Sequence, residues 1–304
     1  MLREAKNVVE ISGYLSEMDI EPKNYTKNGA MVEAIGGTIK VRVVQSLGGN
    51  DKPTVLEVPV HMFSGKYTKS GAINPSYKNI KELSENAVSI AAAGGENGAD
   101  WVRIKGARLG MNEYYTQDGR LVSFPRIQAS FVTRTHKDGD SQAVFRIEMM
   151  VVSKTEEVDR EGNETGRIKV IGAVPMYGGK VDAISFYTGS PRVAEAISQY
   201  WDNGKTYTAV GRLNFSAKTE KTQVPSDFGE VMITERTVNV SEALITGGSQ
   251  TPLDEVNEFQ VADIQAGLAE RKARLEADRA KQAAKATETK VDLSFGTGTN
   301  DFGF

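Results

Sequence analysis

The sequence predicts a mainly β protein: two tandem five-stranded barrels, each with one helix, then a charged helix and a flexible tail. Three observations carry this. Residues 8–244 are short runs of alternating apolar and polar residues, separated by Gly, Asn, Asp and Pro clusters. The two helical patches inside that stretch fall at the same place in two similar blocks. Beyond Gly247-Gly248-Ser249 the strand signals stop and an Ala-, Arg-, Lys- and Glu-rich segment begins.

The first block opens with strands over Val8–Glu17, Thr38–Gln45 and Thr54–Phe63. A helix follows over about 76–92. There Tyr77, Ile80, Leu83, Val88 and Ala91 approximate a helical stripe, and Asn74-Pro75 suits a helix start. Strands over Asp100–Leu109 and Val122–Arg134 complete the block. The second block repeats the order: strands over Val144–Lys154, Gly166–Val174 and Lys180–Tyr187, a helix over about 191–201 with Ser190 as N-cap, then strands over Thr206–Phe215 and Glu230–Val240. Gly-containing pairs mark turns, among them Gly36-Gly37, Asp118-Gly119, Asp138-Gly139 and Gly178-Gly179. The 19–37 stretch reads as the loop joining strands one and two. Two local echoes support a repeat: Thr38-Ile39-Lys40-Val41-Arg42-Val43 with Gly166-Arg167-Ile168-Lys169-Val170-Ile171, and Gly106-Ala107-Arg108-Leu109 with Val210-Gly211-Arg212-Leu213.

Five strands with a helix between the third and fourth is the layout of the oligonucleotide/oligosaccharide-binding (OB) barrel. The expected units are 1–138 and 139–248, with 249–304 holding the charged helix and tail. A single larger β-sandwich, or two sandwiches of unrelated topology, fits the same strands. Over 263–285 the helix has only a thin apolar stripe, Ile264, Leu268 and Leu275, which suits a solvated or partner-docked helix.

Composition narrows the chemistry. The chain has 304 residues, 39% hydrophobic and 25% charged, and no apolar run of membrane-spanning length. It has no cysteine, which excludes disulfides and thiol chemistry and is compatible with a reducing, cytoplasmic setting. With two histidines, a three-histidine metal site is impossible. His61 lies in an apolar strand and reads as structural, and His136 precedes a turn and reads as a surface residue. No phosphate-binding Gly-Lys-Ser/Thr loop and no carboxylate cluster of nuclease type stands out, so no enzyme activity, metal or cofactor is expected. Residues 250–304 hold ten acidic and seven basic groups, so the tail carries the whole net charge of −3 and the body is neutral. A neutral body still binds phosphate when its cations line one groove.

The alternation in Trp101-Val102-Arg103-Ile104-Lys105 puts Trp101, Arg103 and Lys105 on one face and Val102 and Ile104 on the other. Aromatics stack on bases and cations pair with phosphates, the combination a single strand wants. An ordinary amphipathic strand gives the same pattern. Further candidates fall on or beside the barrel strands: Lys40, Arg42, Phe63, Lys66, Tyr67, Arg108 and Arg126 in the first block, with Tyr114 and Tyr115 in the hairpin loop between strands four and five and Lys23 and Tyr25 in the one–two loop. Arg167, Lys169, Tyr177 and Arg212 are the second-block candidates, joined by Lys180, Phe186 and Tyr187. The first block is the richer and is expected to dominate. Nothing singles out base-edge readers, so sequence preference should be weak.

At this point the chain resembles the OB-fold single-stranded DNA-binding proteins, especially those of tailed bacteriophages. Asn7-Val8-Val9-Glu10-Ile11-Ser12-Gly13-Tyr14-Leu15 looks like that family's opening strand, and Asn300-Asp301-Phe302-Gly303-Phe304 resembles its acidic, Phe-ended tip. The tip departs from the bacterial pattern in having one acid and no proline, and two OB units in one chain are also unusual. The resemblance implies a non-enzymatic protein that coats and protects single-stranded DNA during replication, recombination and repair. It implies that Asp301, Phe302 and Phe304 recruit partner proteins. Self-association is left open, and no membrane partner is expected. The competing reading is a structural or virion-assembly protein that uses OB barrels as packing modules.

Overall fold

The computed structural model describes residues 2–27, 29–48, 52–116, 118–159, 161–224 and 232–291. In chain order the elements are β1 (Asn7–Lys27), β2 (Ala30–Gln45), β3 (Thr54–Gly65), α1 (Pro75–Asn86), α2 (Ile90–Ala93), β4 (Trp101–Tyr115), β5 (Leu121–Ala129) and β6 (Thr133–Thr135). There follow β7 (Gln142–Val158), β8 (Glu164–Pro175), β9 (Val181–Thr188), α3 (Pro191–Tyr200), β10 (Thr206–Val224), β11 (Met232–Gly248) and α4 (Val261–Val291).

The strand pairings close two rings with one topology. In the first, β1, β2 and β3 form an antiparallel meander, β3 pairs in parallel with β5, β5 pairs with β4, and β4 returns to β1. In the second, β7, β8 and β9 form the meander, β9 pairs in parallel with β11, β11 pairs with β10, and β10 returns to β7. This is the OB order expected from the two blocks. The rings share a seam: residues 7–12 of β1 pair antiparallel with residues 142–147 of β7. Since β1 and β7 hold the same place in their rings, an approximate two-fold axis relates the rings. Even the bulges agree, at Leu15/Glu17 in β1 and Val151/Ser153 in β7.

Alternation puts branched and aromatic side chains inside. Val9, Ile39, Val41, Leu56, Val58, Val60, Ile104 and Leu109 are fully buried in the first ring. Ile147, Met149, Val170, Ile184, Phe186, Tyr207 and Leu213 are fully buried in the second, and all belong to one continuous core. Phe186, expected with the second binding set, is therefore a core residue. The helices start as expected. The Asn74 side chain accepts from the Ser76 N–H, and Ser190 accepts from the Val193 N–H. Ile80 and Leu83 of α1, and Ala194 and Ile197 of α3, face inward.

Four expectations need correction. The helix over 76–92 is two pieces: Ala87 is extended, and the Asn86 carbonyl accepts from Arg134 instead of continuing the helix. Ser89 caps the second piece and Gly94, at φ 73°, ends it. The one–two loop is a two-stranded ribbon paired as far as Lys27 and Ala30. Gly36-Gly37 is not a turn but lies inside β2, where neighbouring backbones come very close. A Cβ on Gly37 would stand 1.8 Å from the Asp19 carbonyl oxygen, and one on Gly36 would stand 2.6 Å from that of Met62. Finally, α4 is neither solvated along its length nor reserved for a partner. Its first half packs against β4 and β9, with Ile264 and Leu275 buried. Gly267 lies against Val181, and Arg271 forms an ion pair with the buried carboxylate of Glu113. No helix among the described residues is long and apolar enough to cross a membrane.

Candidate nucleic-acid interface

On the outside of the first ring, cross-strand register builds a row of polar side chains. Arg108 of β4 stands opposite Gln128 of β5, Gln128 opposite His61 of β3, and His61 opposite Thr38 of β2. Neighbouring positions add Phe63 and Arg126. His61, Phe63, Arg108, Arg126 and Gln128 together line an open cleft of about 570 Å³. Phe63 is 54% exposed and meets Tyr25 edge-on at 5.6 Å. The His61 Nδ1 is 2.9 Å from the Thr38 hydroxyl. Partial burial, and then the charge of Arg126, hold the His61 imidazole below its ordinary pKa. Arg126 has a buried Nε with no hydrogen-bond partner. Among the described residues no carboxylate pairs with it, so it stands ready for an anion.

The remaining candidates divide by what already holds them. Lys40 is paired with Glu17 at 2.7 Å. Arg42 lies between Glu57 at 2.9 Å and Glu96 at 3.5 Å, and its hydrogen bond to Glu57 raises its pKa. Lys66 is paired with Glu33 and stands over the exposed Tyr67 ring. Arg103 grips Asp138 through both carboxylate oxygens, and Arg108 pairs with Glu4. Lys105 is exposed. Tyr114 and Tyr115 belong to β4 rather than to a loop; Tyr114 packs edge-on to Phe124, and Arg279 of α4 stands 5.7 Å over Tyr115. Tyr177 is 80% exposed in a short turn. Trp101 does share its face with Arg103 and Lys105, but it is only 4% exposed. Its ring is covered by Tyr14, edge-on at 5.0 Å, and by Lys137 at 5.4 Å. It is no open stacking platform. Asp301, Phe302 and Phe304 lie outside the described residues.

The second ring carries the matching row with its chemistry closed. Arg212 stands opposite Leu244, Leu244 opposite Tyr187, and Tyr187 opposite Lys169. Arg212 donates to the Ser46 carbonyl of the first ring. Arg167 and Lys169 stand over Tyr187 at 4.8 and 6.0 Å. Where the first ring has Arg126, facing Gly110 across β4–β5, the second has Glu242, facing Asn214 across β10–β11. Glu242 and Glu157 both pair with Arg167. One register position thus changes an unpaired guanidinium into an internal ion pair.

Two cleft residues escape sequence reasoning. His61 reads as a core histidine because its neighbours are apolar, and Gln128 carries no motif. The available signal is parity: Val58, Val60 and Met62 are buried, so Pro59, His61 and Phe63 must face outward.

A family model described as YorF matches residues 6–281. No curated protein sequence matches the chain. The structure is similar to that of a wild-type single-stranded DNA-binding protein from Thermus aquaticus, with a TM-score of 0.51 and 10% identity, covering 83% of this chain and 95% of that one. A deletion variant of the same protein aligns at a TM-score of 0.47 and 10% identity, covering 83% and 97%. At such identity the likeness is one of fold.

Proposed function

The chain belongs to the YorF family, and we propose that it binds single-stranded DNA on the outer face of its first ring. The observation that carries this reading is the cleft in which Arg126, without a counter-charge among the described residues, stands beside the exposed ring of Phe63 and the polar edges of His61 and Gln128. A strand supplies both missing halves, phosphate for the guanidinium and a base for the ring. The fold likeness to a protein named for single-stranded DNA binding supports the same reading. In this view residues 1–138 bind, residues 139–248 brace them, and the protein coats exposed strands in replication and recombination with little sequence preference. The tail residues Asp301, Phe302 and Phe304 recruit partner proteins. A gel-shift series with single-stranded DNA, duplex DNA and RNA at low salt tests the reading. Salt-sensitive retention of the single strand is expected, and failure to retain it overturns the proposal.

A further inference from the structure

A second cleft, of about 580 Å³, lies where the first ring meets the second, between Tyr14, Arg42 and Trp101 on one side and Gln142, Val144 and Arg212 on the other. Its polar groups are unevenly satisfied. The Trp101 indole N–H is buried and has no acceptor among the described residues, whereas the other tryptophan, Trp201, donates to the Ser249 carbonyl at 2.8 Å. The Ser46 hydroxyl is also buried and unpartnered. Arg42 is taken up by Glu57 and Glu96, and Arg212 by the Ser46 carbonyl. Lys137 differs. It comes from an exposed turn, and its ammonium rests over the Tyr14 and Trp101 rings at 5.6 and 5.4 Å. No carboxylate pairs with it among the described residues. Two rings, an orphan donor and a movable unpaired cation are therefore gathered in one recess. Buried polar groups ordinarily find partners, and an orphan donor in the wall of a cleft is a place for an acceptor from outside.

We infer that this inter-ring cleft holds one nucleotide. Lys137 swings off the rings to meet the phosphate, the base takes its place on the Tyr14 ring, and a base carbonyl at its edge accepts from the Trp101 indole. The unit is either a free mononucleotide or a nucleotide of a bound strand. The site shares no residue with the cleft at Arg126, so it stands or falls separately from the function proposed above.

The test is the pair of indole N–H resonances of the ¹⁵N-labelled full chain, with Trp101→Phe identifying the one from Trp101. The expected result is a saturable shift of the Trp101 resonance on adding dTMP or a dT oligomer, with Trp201 unmoved. Lys137→Ala, an exposed change that leaves the fold intact, should weaken that response by roughly tenfold, the loss of one contact to a charged group. A response to dTMP identifies a free-nucleotide site, and a response to the oligomer alone identifies a strand subsite. The oligomer arm is repeated in Arg126→Ala, where the Trp101 shift must persist at saturation. If Trp101 answers neither ligand, or answers equally well without Lys137, the inference fails. Strand binding lost in Arg126→Ala would in that event leave the function proposed above standing.

Discussion

Replacing Arg126 with alanine separates a built site from a general positive field. Among the described residues Arg126 has no carboxylate partner, and its buried Nε is unpartnered. Removing it breaks no hydrogen bond or ion pair among the described residues, so stability should stay within about 0.5 kcal/mol of wild type. A hydrogen bond from a guanidinium to phosphate contributes about 1.5–3 kcal/mol. Its loss should lower affinity for a dT oligomer by roughly 10- to 150-fold. One phosphate contact fewer should also flatten the log-log salt dependence by about 0.7. The control is Lys40→Ala. Lys40 is as cationic but is already paired with Glu17 at 2.7 Å. Exposed pairs of this kind contribute little, so its loss should change affinity by less than about threefold. Both variants are titrated by fluorescence or gel shift at several salt concentrations. Equal losses in affinity and slope would refute the reasoning, because net charge rather than the cleft would then be setting the binding.

Three further outcomes follow from other parts of the molecule. His61 has a lowered pKa in the fold, so its neutral form stabilises the protein; stability should fall as pH drops through and below the ordinary histidine range, and His61→Gln should flatten that part of a melting-temperature profile. Gly37→Ala would drive a Cβ to 1.8 Å from the Asp19 carbonyl oxygen and should cost about 1–3 kcal/mol or more in denaturant unfolding. Arg271→Ala strands the Glu113 carboxylate, only 5% exposed, and should cost about 3 kcal/mol, with much of the loss restored by adding Glu113→Gln.

The ring order was legible because each strand keeps period-two alternation and each barrel helix carries a cap residue and a proline at its start. Asn74-Pro75 and Ser190-Pro191 are local signals and sit where they were expected. The misses share a physical cause, namely partners distant in sequence. Gly36-Gly37 looks like a turn on its own; only the crossing backbones at Asp19 and Met62 explain why side chains are missing there. Lys40, Arg42 and Arg103 look like free cations, yet Glu17, Glu57 and Asp138 reach them across strands or from a following turn. A body with equal numbers of acids and bases gives most outward cations such a neighbour. The thin stripe of α4 understates its docking, since Gly267 lets the helix approach closely and Arg271 anchors it through charge. Parity placed Trp101 on the outer face, but parity says nothing of the Lys137 side chain lying over it.

The antiparallel seam between β1 and β7 has a directional consequence. A nucleic-acid strand has a polarity, and a two-fold axis reverses it wherever the strand runs across that axis. A strand running 5′ to 3′ across the first ring would meet the matching face of the second ring the wrong way round, and would have to turn back on itself to use both alike. For a strand on that path, a tandem of this symmetry is no straight two-step track. Glu242, standing where the first ring has Arg126, closes the face that such a strand would meet in reverse.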